Sequence, residues 1–448
     1  MLWPLIRRNT GLTSVDIDGV SDKLDLRGLA LTLQTLPGLT RLRLKCSFQY
    51  YNTSVRDRLN KVNPEALGWL IRALAYPHLR LKSLILHVRV ESGLPPEWNL
   101  FEADHDHDHD QNPKNRTAQF PELEEFAIHD SGHNSHWIAE AILLPMLREA
   151  PVLKKLSIPY MSMSTSKATV KILEERQLPL EDLLFDSPGC DAWFVDMVRI
   201  HRRTLRTLEA YHNHPSYEMR DDTYCEPMLK ALVPTSMTTS DLSLQMVNLQ
   251  VITMVLVASP TVSTLIQRIL TSLPNLRYFT QDFVGKPPPF DEVYGPPGKL
   301  EIRDLVASPW VCSGLELLCV SLGSRSVEDG VDETLQERRG KIRRVYKQLG
   351  ALTQLKELTL ACDVLNEQLS SSSEVAELDF TFETGLREME PCLKHLVGLY
   401  IDRVQGVRFG EPERQWVKER ALRLVYLEDQ PQEEVEDLDD DAGASDEE

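Results

Sequence analysis

The 448-residue sequence lacks most of the features that announce a chemistry. It has no run of about 18 uncharged apolar residues, so no transmembrane helix is expected and no membrane partner. The N-terminal MLWPLIRRNTGLTS holds too short an apolar stretch for a secretory signal. Its seven cysteines, at 46, 190, 225, 312, 319, 362 and 392, are odd in number, scattered and never spaced CxxC. That pattern reads as reduced thiols, most of them core filler, in a cytoplasmic or nuclear protein. There is no GxxxxGK followed by Ser or Thr, no GxGxxG after a strand and no GxSxG. Nucleotide, dinucleotide and hydrolase chemistry are therefore not expected; the chain reads as a non-enzyme without a cofactor.

A basic surplus is missing as well. The net charge is −19, yet Glu428 to Glu448 holds twelve acids and no base, which leaves −7 for the rest. A body of that sign lacks the basic face that phosphate attraction needs, so nucleic acid is not an expected partner. Residues 429–448 read as a disordered acidic tail, with too few large aliphatic residues to fold alone. Within it Ser445, followed by three acids, is the type of serine an acidophilic kinase modifies.

What is present is a recurring phrase. The frame L-x-x-L-x-L fits Leu12/Val15/Ile17, Leu39/Leu42/Leu44, Leu81/Leu84/Leu86, Leu123/Phe126/Ile128, Leu153/Leu156/Ile158, Leu180/Leu183/Phe185 and Leu205/Leu208/Ala210. A weaker copy holds Leu242 and Leu244. Later copies are Leu276/Phe279, Leu315/Leu318/Val320, Leu355/Leu358/Leu360, Leu396/Leu399/Ile401 and Leu422/Val425/Leu427. Successive frames lie mostly about 25 to 42 residues apart, the range of solenoid units. Each frame reads as a short strand, with residues at i and i+2 on one side and the residue between them on the other. Helical stripes precede several frames: Leu26, Leu29, Ala30, Leu33 and Leu36; Leu67, Leu70, Ile71 and Leu74 after Asn63-Pro64; Leu265, Ile266, Ile269, Leu270 and Leu273; Ile342, Val345, Tyr346 and Leu349. Pro37, Pro77, Pro151, Pro274 and Gly350 read as the stops that turn helix into strand. Helix, turn and strand stack into an α/β solenoid over 1–428, a horseshoe with parallel strands on the concave face and helices on the convex one.

The unequal spacing is assigned to insertions between a strand and the next helix, longest at about 87–119, 211–240, 284–300 and 361–378, with shorter ones at 45–62 and 321–333. These loops are expected along one rim, where binding commonly resides. The residues between the apolar strand positions are expected to face the cavity and to grip a protein partner. They include Arg41, Arg43, His87, Glu125, His129, Lys155, Asp182, Asp186, Glu209, Tyr211, Tyr278 and Asp282. The tract DHDHDHD, Asp104 to Asp110, offers His105, His107 and His109 as weak metal candidates. A designed zinc site needs ligands held at fixed geometry, and this tract reads as a polar loop, so no metal centre is assigned.

LQTLPGLTRLRL, LREAPVLKKLSI, ILTSLPNLRYF and QLGALTQLKELTL resemble the irregular leucine-rich repeats of fungal F-box/leucine-rich-repeat proteins, of ribonuclease-inhibitor-like architecture. The resemblance covers about residues 5 to 428, and GEPERQWVKERALRLVYL, 410 to 427, looks like the group's closing repeat. It implies a substrate-recognition subunit of an SCF ubiquitin ligase, whose repeats hold a protein substrate. No F-box-like segment precedes the repeats, so direct binding of the ligase adaptor is expected only if an F-box is supplied upstream. Leucine-rich repeats with an acidic tail also characterise Ran GTPase-activating proteins. Those repeats are regular, with an asparagine in the turn that is mostly absent here. A stand-alone repeat protein with a metal-binding His/Asp loop is the third reading.

Overall fold

The structure is a computed structural model, described here for residues 3–20, 26–48, 80–90, 120–130, 142–158, 161, 163–185, 192–210, 225–233, 246, 248–254, 261–281, 300–323, 334–362, 380–402, 409–421 and 424–427. The chain divides into two compact units, Met1–Lys299 with Ser308–Leu315, and Leu300–Ala307 with Glu316–Glu448.

The first unit contains nine described strands: β1 (Ser14–Val20), β2 (Arg41–Phe48), β3 (Ser83–Val90), β4 (Glu125–Asp130), β5 (Lys155–Ile158), β6 (Asp182–Phe185), β7 (Thr207–Ala210), β8 (Val251–Met254) and β9 (Tyr278–Gln281). Each pairs in parallel with the next in chain order. Parallel neighbours need a crossover, and between β1 and β2 and from β4 to β9 a described helix supplies it. The described helices are α1 (Trp3–Arg8), α2 (Leu26–Leu33), α3 (Leu144–Glu149), α4 (Met163–Arg176), α5 (Ala192–His201), α6 (Cys225–Leu232) and α7 (Val262–Ser272). From α3 to α7 each helix packs against its successor.

The frame residues form the core. Leu42 and Leu44, Leu84 and Leu86, Phe126 and Ile128, Leu156 and Ile158, Leu183 and Phe185 are all buried, as are Ile252 and Met254. At β6 the sheet meets its helix directly: the Phe185 ring lies edge-on to Phe194 of α5, centroids 4.2 Å apart. Each such side chain contributes about 1.5–3 kcal/mol when fully buried. Helix α7 shows the complementary stripe, with Val262, Leu265, Ile266, Ile269 and Leu270 buried. It ends on a bond from Leu273 N–H to the Ile269 carbonyl, and Pro274 follows.

From β1 to β8, one carbonyl before the strand accepts two successive amides from the next repeat. The N–H groups of Lys82 and Ser83 both donate to Thr40, at 2.8 and 3.0 Å, and those of Glu124 and Glu125 both donate to Lys82, at 2.9 Å each. Glu124, Lys154, Glu181, Arg206 and Gln250 repeat the arrangement through to Tyr278. These paired bonds fix where every strand begins, whatever the length of chain between repeats.

The second unit holds β10 (Leu300–Glu301), β11 (Leu317–Gly323), β12 (Glu357–Cys362), β13 (Gly398–Asp402) and β14 (Leu424–Leu427). All described pairings are parallel, β11 through β14 in chain order, with β10 beside β11. Its helices are α8 (Ile302–Leu305), α9 (Leu335–Gly350), α10 (Glu390–Leu393) and α11 (Glu411–Lys418), with a 3-10 turn at Leu386–Met389. The same seam recurs: Glu316 accepts from Lys356 and Glu357, and Lys356 from Val397 and Gly398. Helix α9 starts with a reciprocal cap in which the Thr334 hydroxyl accepts from Glu337 N–H and the Glu337 carboxylate accepts from Thr334 N–H. Those bonds, the Thr334 backbone N–H foremost, hold the Glu337 carboxyl below its ordinary range.

Several expectations change. The eighth strand is framed by Leu249, Ile252 and Met254, whereas Leu242 and Leu244 lie outside the described residues. Strands β2 and β3 continue to Phe48 and Val90, and β11 and β12 to Gly323 and Cys362, into stretches read as insertions. The reason is continued pairing, for β2 and β3 stay in register from Arg41↔Ser83 to Phe48↔Val90. Leu300, read as the end of an insertion, belongs to β10. Gly350 is the last residue of its helix, as read, but the chain leaves it without a left-handed turn, since Ala351 is right-handed, φ −72 and ψ −15. It is glycine because the Glu388 backbone carbonyl comes so close that a Cβ would collide with it. The Asn63-Pro64 helix lies outside the described residues.

Candidate functional site

The leucine face of the first unit's sheet is buried, and the other face carries the side chains between. The register aligns them in rows. One runs Ser14, Arg41, Ser83, Glu125, Lys155, Asp182, Thr207, Val251, Tyr278 from β1 to β9. The next begins Asp16, Arg43, Ile85, Ala127, Ser157, Leu184, Glu209. A third brings together Lys45, His87 and His129.

Nine of the candidate partner-binding residues stand in these rows: Arg41, Arg43, His87, Glu125, His129, Lys155, Asp182, Glu209 and Tyr278 are each exposed or half-buried. Asp186, Tyr211 and Asp282 lie outside the described residues, as do His105, His107, His109 and Ser445. Three short neighbours expected in the cavity, Ser83, Ala127 and Ser157, are buried. Their side chains are short, and Ser83, flanked by Arg41 and Glu125, donates to Glu125 Oε2 at 2.6 Å.

The row members are organised across strands. Arg43 Nη1 lies 3.7 Å from Asp16 Oδ2, and Lys45 Nζ 3.2 Å from Asp18 Oδ1. Arg43 Nε donates to His87 Nε2 at 3.2 Å, which requires a neutral imidazole with its proton on Nδ1. The His87 ring stacks on His129, centroids 4.5 Å apart and planes 21° from parallel. Farther along, Lys155 Nζ pairs with Asp182 Oδ2 at 3.4 Å. Pairs this exposed are worth about 0–1 kcal/mol each, so their effect is to orient side chains rather than to hold the fold.

A second polar line sits one residue earlier, at the strand entrances, and sequence reading missed it. Lys154 Nζ meets Glu124 Oε2 at 3.0 Å and Arg206 Nε meets Glu181 Oε2 at 3.3 Å. In the second unit Lys356 Nζ meets Glu316 Oε2 at 2.6 Å. The Lys154 ammonium, through its hydrogen bond first and its charge second, holds the Glu124 carboxyl below its usual range. The signal was legible: the residue before the strand is charged in Lys82, Glu124, Lys154, Glu181 and Arg206. Val251 and Thr253 were missed with the eighth frame, although LQVITM carries it.

Three buried titratable groups among the described residues have strongly shifted values. Burial pushes the thiols of Cys312 and Cys392 up to about 12, so they stay protonated. Burial also lowers His201, at the end of α5, to about 4, and its Nε2 has no partner among the described residues. Among the described residues no group of three or more His, Cys, Asp or Glu side chains is arranged to hold a metal, and no helix is long and apolar enough to cross a membrane.

The geometry defines a class: repeated helix–turn–strand units whose open parallel sheets bury their leucines on one face and, in the first unit, carry an ordered polar array on the other. The sequence matches no protein-family model and no curated protein.

Proposed function

We propose that the chain is a protein-binding leucine-rich-repeat scaffold, and more narrowly the substrate-recognition region of an F-box-type ubiquitin ligase adaptor. The observation that supports binding is the open face of the first unit, where charges of both signs, two stacked histidines and Tyr278 stand on hydrogen-bonded strands. Side chains anchored this way lose little further freedom on contact, which favours affinity. Arginine and tyrosine are also the residue types that dominate protein interfaces. The ligase assignment rests on the likeness of the repeat phrases, and its adaptor requires an F-box upstream.

Affinity capture tests this with the native chain and an Arg41→Glu/Tyr278→Ala variant. Both positions are exposed, so the fold should survive, as unchanged thermal unfolding would verify. A partner held by the native chain should bind the variant at least about 30-fold more weakly. Equal binding by both proteins removes the open face from the proposal. A captured partner whose cellular ubiquitination does not change when the chain is deleted removes the ligase assignment and leaves the scaffold.

A further inference from the structure

Helix α9 spans Leu335–Gly350 and reads LQERRGKIRRVYKQLG. Six of its residues are basic and one, Glu337, is acidic. Its apolar side is fully used, with Ile342, Val345, Tyr346 and Leu349 buried. Its opposite side is exposed at Arg343, Arg344 and Lys347. Among the described residues, the acids that pair with this helix lie toward Arg339 and Arg343. Glu383 pairs with Arg339 at 2.9 Å, Glu388 lies 3.8 Å from Arg343, and Lys341 acts on Glu337. Cationic surplus concentrated on one helix of a chain with net charge −19 calls for a counter-charge.

The same unit supplies one. Strand β14 ends at Leu427, and the next 21 residues, Glu428 to Glu448, carry twelve acids and no base. Strand β14 is two places from β12 in the parallel sheet, about 10 Å away at ordinary strand spacing. Helix α9 is about 24 Å long and leads into β12. An extended chain of 21 residues reaches up to about 70 Å, which covers the sheet thickness, the lateral step and the whole helix.

We propose that the exposed basic face of α9 is a docking surface for acidic chain segments, and that its resident occupant is the protein's own segment from Glu428 to Glu448. Contact forms through carboxylates over Arg343, Arg344 and Lys347, without a fixed register, because that exposed face offers no apolar side chain to set one. Phosphate on Ser445 would add to the same attraction. An external acidic protein would have to displace the segment to reach the helix.

Zero-length carbodiimide cross-linking of the full chain, followed by peptide mapping, tests it. The expected result is links in the monomer fraction joining Lys347 or Lys341 to acids beyond Glu428, in excess of links to Lys394 and Lys418. They should vanish at about 0.5 M NaCl, where screening acts within a few ångströms. Arg343→Glu/Arg344→Glu should lower the Lys347 links about ten-fold and leave links elsewhere unchanged. Links confined to a dimer band would place the segment on a second copy and overturn the proposal. Links spread evenly over the lysines, or a yield indifferent to salt, would overturn it too. The salt series on the native chain decides even if the double variant fails to fold.

Discussion

Helices α7 and α9 fill the same structural place in different units and solve it with opposite surfaces. Helix α7, VSTLIQRILTS, has one charged residue; α9 has seven. Both bury an i, i+3, i+4, i+7 stripe: Val262, Leu265, Ile266 and Ile269 in one, Ile342, Val345, Tyr346 and Leu349 in the other. The repeat therefore constrains only the inner stripe. The outer surface is free, and α9 has filled it with cations and begun with a reciprocal cap that α7 lacks.

The largest effects come from attacking what the two helices share. Ile266→Ala and Tyr346→Ala should each cost about 3–4 kcal/mol, because both side chains are fully buried and Tyr346 also packs on Phe380, ring centroids 5.8 Å apart. Chemical denaturation measures this, and a cost under 1 kcal/mol at either site would deny that the stripe carries the fold.

A second contrast is acid sensitivity. The first unit encloses His201, whereas the second holds a single histidine, the exposed His395. The folded His201 titrates near 4 and an unfolded histidine near 6.5. Below pH 6.5 the unfolded chain takes up the proton and the folded one does not, so stability is complete above 6.5 and falls as pH drops toward 4. The loss is roughly 3 kcal/mol. His201→Gln should remove this part of the pH dependence, as denaturant midpoints at pH 7 and pH 4.5 would reveal; an unchanged slope sinks the assignment.

The smallest and most specific effect is at the helix starts. Thr334→Ala removes a cap bond made from both sides and should cost about 1 kcal/mol. Thr261→Ala removes a side chain that makes no cap bond to α7 and should stay within about 0.5 kcal/mol. Equal shifts in melting temperature would erase the distinction between the two helices.

The repeat was legible because burial imposes a two-residue alternation that leucine reports directly. Wherever the phrase kept its leucines, as at Leu42/Leu44 or Leu84/Leu86, the strand stands where the spacing put it. The eighth frame departs from the leucine phrase because Ile252 and Met254 fill its apolar positions, which burial accepts as readily as leucine. Strand ends were read short at Lys45 and His87, because how far a strand runs depends on whether its neighbour continues, which no single segment states. Gly350 shows a further limit: a close backbone approach from Glu388 looks, in sequence, like an ordinary helix stop. On the polar face, alternation gave the direction of Arg43, His87 and His129, but their mutual contacts come from register between residues 40 or more apart. The line of paired charges at the strand entrances, Lys154 to Glu124 and Arg206 to Glu181, falls outside the apolar frame, so the leucine alternation does not report it.

The carbonyl that accepts two amides at these strand entrances makes the seams that carry it chemically alike. Thr40 receives its neighbour in the same way as Lys82, Arg206 or Lys356. A junction built from main-chain atoms does not depend on which side chains meet there. Whole repeats can then be copied, lost or exchanged by recombination without inventing a new joint, and segments between joints can lengthen freely. Proline alone is barred, from either amide of the pair.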